Sequence, residues 1–145
     1  MKETKSHAVV PWMRWVLAAA GCYNLAWGAF VVLFPLVPFR WAALPAPNYP
    51  EIWQCVGMIV GVYGVGYLIA SFAPLRHWPS VLVGLLGKIL GPIGMAWSLW
   101  RGTLPTIAGW TCVFNDLVWW LPFGLILWRA YQTRDQAAEL NSCQR

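Results

Sequence analysis

Apolar residues in this chain gather into four long runs, at about 12–34, 51–73, 79–100 and 106–128, separated by short segments rich in proline and charge. Each run has the roughly 20 mostly apolar residues that a transmembrane helix needs. Pro35 and Pro38 close the first run, and five prolines between Pro35 and Pro50 predict a rigid, irregular loop. Pro74 and Pro79 bracket the second turn, and Pro105 precedes the fourth run. Pro50-Glu51 reads as a helix start, with an acid in the first turn where the helix dipole favours it. The pattern therefore predicts an all-α fold. It is a four-transmembrane-helix antiparallel bundle forming one membrane domain over residues 1–131, followed by a polar tail of mixed charge over 132–145 that extends the last helix.

Charge placement orients the bundle. Lys2, Lys5, Arg14, Arg76, Arg129, Arg134 and Arg145 fall on one side of the predicted spans, and Arg40 and Arg101 on the other. The excess of basic residues marks the cytoplasmic side, which puts both termini in the cytoplasm. Composition agrees with a lipid bilayer as the solvent: 59% of residues are hydrophobic and 10% charged, against about 25% charged in soluble domains. Twelve tryptophans are present. Trp12, Trp15, Trp78 and Trp128 fit one interfacial belt, and Trp41, Trp53, Trp100 and Trp110 the other. Trp27, Trp97, Trp119 and Trp120 lie deeper and are expected to pack against protein or line a pocket. The net charge of +5 comes from residues scattered over chain ends and loops, with no aromatic-basic stripe, so no nucleic-acid partner is expected. Ala18-Ala19-Ala20 and Ala20-Gly21-Cys22 resemble processing sites. The apolar run continues well past Cys22, and the segment reads as a retained span.

Two runs carry opposite charges near mid-length, Lys88 in the third and Asp116 in the fourth. At a rise of about 1.5 Å per residue, Asn24 and Asp116 lie roughly 18 Å from the cytosolic ends and Lys88 roughly 13–14 Å. A lysine stem bridges that offset if the third and fourth helices are neighbours, as their short connection predicts. Charged groups at such depth are costly without a partner or a task. The bland reading is an ion pair that fixes helix register; the sharper one is a site for a ligand, ion or proton. Pro92 cannot donate to the carbonyl of Lys88, and Pro122 likewise frees that of Val118. Freed carbonyls are tolerated inside a membrane only where protein or water satisfies them. Gly84, Gly87 and Gly91 on the third helix allow close backbone approach, and Gly87–Gly91 has small-xxx-small spacing.

Glu51, Gln54 and Met58 share a face of the second helix, flanked by Gly57, Gly61 and Gly64. That face reads either as a packing seam or as the vestibule of a cavity floored by Lys88, Asp116 and Asn24. On the fourth helix Cys112, Asp116, Trp119, Trp120 and Phe123 share a face, either as core or as an aromatic cage beside an acid. Asn24, Gln54, Lys88, Asn115, Asp116, Trp119 and Trp120 are the candidate ligand-binding residues.

Four cysteines, Cys22, Cys55, Cys112 and Cys143, form no CxxC pair and no metal-site spacing. His7 and His77 fall in the cytosolic flanks, away from any membrane haem. There is no HExxH, GxSxG or phosphate loop. No catalytic residue, metal ligand or cofactor is assigned, and the motif content points away from an enzyme.

The runs Tyr23-Asn24-Leu25-Ala26-Trp27-Gly28, Trp53-Gln54-Cys55-Val56-Gly57-Met58 and Asn115-Asp116-Leu117-Val118-Trp119-Trp120-Leu121-Pro122-Phe123 resemble those of a family of small, uncharacterised bacterial four-helix integral membrane proteins, some labelled alkyl hydroperoxide reductase. The resemblance covers roughly residues 12 to 131. It implies a four-helix architecture in a bacterial cytoplasmic (inner) membrane. A weaker likeness in size and span number is to DoxX-like proteins. A thiol peroxidase needs an exposed, activated cysteine on a soluble scaffold, and the residues here form no thioredoxin-like βαβ pattern.

The expected function is binding of a small ligand, ion or proton within the bundle, with Lys88 neutralising an anionic group or holding Asp116 ionised. The alternatives are a structural or assembly subunit, and a membrane thiol-redox protein using Cys55 and Cys112. The glycine faces are also candidates for a homo-oligomer contact.

Overall fold

The structure, a computed structural model, describes residues 10–143, with the backbone alone over 137–143. Helix α1 spans Pro11–Leu33, short α2 Val37–Trp41, α3 Pro50–Phe72 and α4 Trp78–Trp100. A fourth long helix follows in pieces: a 3-10 turn at Thr106–Ala108, α5 at Gly109–Cys112, a π turn at Val113–Leu117, and α6 at Val118–Cys143. Every element among the described residues is helical. Four of them are long and apolar enough to cross a membrane, the architecture of a multi-pass helical bundle.

Local chemistry explains the ends. A proline occupies the first turn of α1, α3 and α4, where its missing N–H costs nothing and its fixed φ suits a helix. Helix α4 stops at Gly102, whose φ of 67° is the left-handed conformation glycine adopts without strain. The Gly102 amide donates to the Leu99 carbonyl at 3.0 Å and the Thr103 amide to that of Ser98 at 3.0 Å, closing the helix end. The segment from Pro35 to Pro50, expected to be irregular throughout, contains α2, because Pro38 falls in a first turn rather than an interior.

Two antiparallel pairs build the bundle. Helices α1 and α3 pack along much of their length through glycines. A Cβ on Gly28 would stand 2.5 Å from the Gly57 carbonyl oxygen, and one on Gly64 would stand 2.8 Å from that of Gly21. The backbones are thus in direct contact, the small-residue mode of helix association. Gly61 supplies backbone beneath Gly28, although its own Cβ position is empty. Helix α4 pairs with the fourth long helix. On α4 the close approaches fall at Gly84 and Gly91, while Gly87 faces open space, so the Gly87–Gly91 spacing is not the seam.

The two pairs meet in one apolar core: Met13, Leu17 and Ala20 of α1, Tyr67 and Ala70 of α3, Val81 of α4, and Phe123 and Ile126 of α6. All lie toward the end where α1 starts and α3 finishes. Arg14 fastens that end by donating through Nε to the Ser71 carbonyl at 3.2 Å. Past Lys88, α4 has no further buried residue, and the aromatic contacts there do not join one pair to the other. Trp27 meets Trp53 edge-on at 5.9 Å and Phe30 stacks on Trp41 at 5.5 Å, while Trp97 packs only on its neighbour Trp100. Trp97, expected to pack inward, is 57% exposed and joins the outer girdle one turn from the end of α4.

Candidate functional site

Gly84, Lys88 and Gly91 recur at helical spacing and share a face of α4. The Tyr67 ring and hydroxyl occupy the place a Cβ on Gly84 would take, which brings α3 against α4 just below Lys88. Lys88 is 5% exposed and Asp116 8%. The ammonium donates to the backbone carbonyl of Asn115 at 2.7 Å and stands 3.9 Å from Asp116 Oδ1. Its hydrogen bond is therefore to the backbone, and the carboxylate is a close ionic neighbour. Asn115 Nδ2 donates to the same Oδ1 at 3.0 Å. The other oxygen, Oδ2, faces Gly91, where a Cβ would come within 3.3 Å. The Trp119 ring centroid lies 5.7 Å from the Lys88 ammonium, within cation–π range.

Asn115 and Asp116 are carried by the π turn. A π turn widens the helix by one residue, re-aims the side chains after it and loosens the carbonyl ladder. Its effect here is visible in the neighbouring tryptophans. Trp119 turns inward, with its ring 6.0 Å from Tyr23 of α1. Trp120 is 39% exposed, yet its indole Nε1 donates to the Lys88 carbonyl at 2.8 Å. That is the carbonyl which Pro92 leaves without an intrahelical donor. The two helices are therefore cross-braced at one residue: the Lys88 side chain holds a carbonyl of the fourth helix, and a side chain of the fourth helix holds the carbonyl of Lys88.

Around this brace, polar atoms remain unmatched. Asn115 Oδ1 and Trp119 Nε1 here, like Asn24 Oδ1 and Trp53 Nε1 in the α1–α3 pair, are buried without a hydrogen-bond partner. Each such group costs about 1–3 kcal/mol relative to a satisfied one. Asn24 lies in the α1–α3 seam against Gly64, and its neighbour Tyr23 carries α1 to Trp119. Beside the Asp116 carboxylate the layer offers one acceptor on Asn115 and one donor on Trp119, groups of the kind that hold a small polar molecule or cation or pass a proton.

Of the candidate residues, Lys88, Asn115, Asp116, Trp119 and Trp120 come together, while Asn24 lies in the α1–α3 seam. Gln54 lies elsewhere. Its Nε2 donates to the Val32 carbonyl at 2.8 Å, one of the last carbonyls of α1 and without a helical donor, about 12 Å along α1 from Asn24. The expected pair of caging tryptophans is divided, one indole facing the ammonium and the other bracing the helices. Tyr23 was not among the candidates, although it stands one helical turn from Trp27 and beside Asn24. Cys22, Cys55 and Cys112 are all free thiols.

No family model matches this chain, and neither does any curated protein or solved structure.

Proposed function

We propose that this chain is a multi-pass protein of a bacterial cytoplasmic membrane, with both termini in the cytoplasm, that binds a small polar ligand, ion or proton at the layer formed by Lys88, Asn115, Asp116 and Trp119. The observation that carries this reading is the set of unmatched buried polar atoms beside a charged pair. A bundle needing the pair only for register would gain by matching or removing them. The π turn supports the same reading, since such turns recur where a side chain must be presented for function. The orientation is supported by Arg14, Arg76, Arg129 and Arg134 at the shared-core end, against Arg40 and Arg101 at the other. Membership of the small bacterial four-helix family rests on the three motif runs alone.

A second reading, a structural or assembly subunit, is favoured by the reciprocal bonds between Lys88 and the fourth helix. Thermal unfolding in detergent separates the two. For a binding site, Asp116→Asn melts at or above wild type, and a small ion or polar compound raises the wild-type midpoint without raising that of Asp116→Asn. A structural lock gives the opposite result: Lys88→Met and Asp116→Asn both melt far lower, and the swapped pair recovers.

A further inference from the structure

A groove of about 460 Å³ lies at the other end of the α4–α6 pair, away from the polar layer. It is lined by Trp78 and Leu82 of α4 and by Leu127, Tyr131, Arg134 and Asp135 of α6. The size falls within the range of roughly 300–1,000 Å³ seen for small-molecule sites. The lining is ordered by depth. Leu82 and Leu127 lie farthest into the bundle, Trp78 and Tyr131 one turn nearer the helix ends, and Arg134 and Asp135 at the rim. Apolar side chains, then amphipathic rings, then charges is the order of a phospholipid read from its tails to its headgroup.

The rim carries one cation and one carboxylate. Arg134 is held in place, its guanidinium 4.9 Å from the Trp78 ring centroid. That contact uses one face of the guanidinium and leaves its N–H edges free to donate. Among the described residues the sole ion pair is Lys88–Asp116, so Arg134 and Asp135 are not spent on each other.

We propose that this groove holds one phospholipid with a phosphoethanolamine headgroup. Arg134 donates to the phosphate, Asp135 accepts from the primary ammonium, and an acyl chain lies along Leu82 and Leu127. Charge complementarity selects this headgroup. A phosphatidylglycerol leaves the carboxylate facing hydroxyls beside an anion. The quaternary ammonium of a phosphatidylcholine has no N–H to donate. The inference rests on the membrane reading above and is separable from it. If the chain is recovered without detergent, the membrane reading fails; if it needs detergent but shows no headgroup preference, the lipid site alone fails.

The test is native mass spectrometry of the detergent-extracted full chain titrated with phosphatidylethanolamine, phosphatidylglycerol and phosphatidylcholine of matched tails. The expected result is one phosphatidylethanolamine retained per chain, in preference to the other two by about threefold, the scale of one exposed ionic contact. Asp135→Asn abolishes the preference over phosphatidylcholine. Arg134→Gln weakens retention of all three lipids. Leu127→Trp, which fills the groove from below, excludes lipid while leaving the melting temperature of the delipidated protein near wild type. Equal retention of the three lipids by wild type overturns the proposal, as does an Asp135→Asn variant that keeps the preference. So do equal stabilisation by soluble glycerophosphoethanolamine, which would make the site one for a free headgroup, and a second copy of the chain found in place of lipid.

Discussion

The α1–α3 pair and the α4–fourth-helix pair hold two antiparallel helices together by opposite means. In the first, glycines bring backbone against backbone, as at Gly28 and Gly57, and the buried polar side chain of Asn24 contributes an oxygen with no partner. In the second, contact depends on a buried ammonium, a freed carbonyl and an indole that cross-brace at Lys88. Lipid supplies little hydrophobic drive between helices, so close packing and polar contacts are the two means of association available. Close packing builds the middle of the first pair, with one side-chain bond to a backbone carbonyl at each end, from Arg14 to Ser71 and from Gln54 to Val32. The second includes charge, two interior prolines and a π turn, which are costs for a purely structural joint. That asymmetry is why the proposed site is assigned to the second pair.

The largest effect should come from breaking the glycine seam. Gly28→Leu with Gly64→Leu drives side chains into backbone atoms that cannot move aside, a clash of the kind that costs 1–3 kcal/mol or more per site even in adaptable cores. Size-exclusion chromatography should show no monodisperse protein. Next in size, Lys88→Met leaves the Asn115 carbonyl without its donor and Asp116 without its counter-charge, and the unfolding free energy should fall by about 3 kcal/mol. The same change combined with Asp116→Asn should recover part of that loss.

Trp120→Phe removes the indole donor along with part of the ring, and the lost hydrogen bond should cost about 1 kcal/mol. A sharper form of this test is a double-mutant cycle with Pro92→Ala. Restoring an amide donor for the Lys88 carbonyl should make Trp120→Phe nearly silent. A full cost in the Pro92→Ala background would mean that the indole bond is not what the proline requires. The smallest effect is expected on the glycine pair: Gln54→Leu loses one hydrogen bond at the end of α1. It should shift stability by under about 1 kcal/mol and leave any ligand stabilisation intact. Loss of the ligand response in that variant would draw Gln54 into the site after all.

The four spans were legible because lipid-compatible helices must be long, apolar and interrupted at prolines, and this chain keeps all three features. The meeting of Lys88 with Asp116 followed from depth counting, and the need to satisfy the Lys88 carbonyl from the chemistry of Pro92. What satisfies it was not legible. The choice between Trp119 and Trp120 depends on the helix phase after residue 117, and a π turn has no residue signature comparable to a proline's. The contact that Gln54 makes was not legible for a different reason. Shared helical phase puts Glu51, Gln54 and Met58 on one face but does not say how far along the neighbour they land. Gly87 and Gly91 show the same limit, since spacing identifies small residues without telling which one faces a partner.

The restriction of the shared core to one end has a mechanical consequence. The two pairs are joined like the arms of a clothes peg, with the pivot in the layer of Leu17, Tyr67, Val81 and Phe123 and the charged pair just beyond it. From Val81 to Trp100 the arm of α4 extends about 28 Å. A rotation of roughly 10° at the pivot moves its tip by about 5 Å, more than the width of a water molecule, while displacing Lys88 by about 2 Å. Because Lys88 and Asp116 both belong to the α4–fourth-helix pair, such a rotation between the pairs would carry the two charges together.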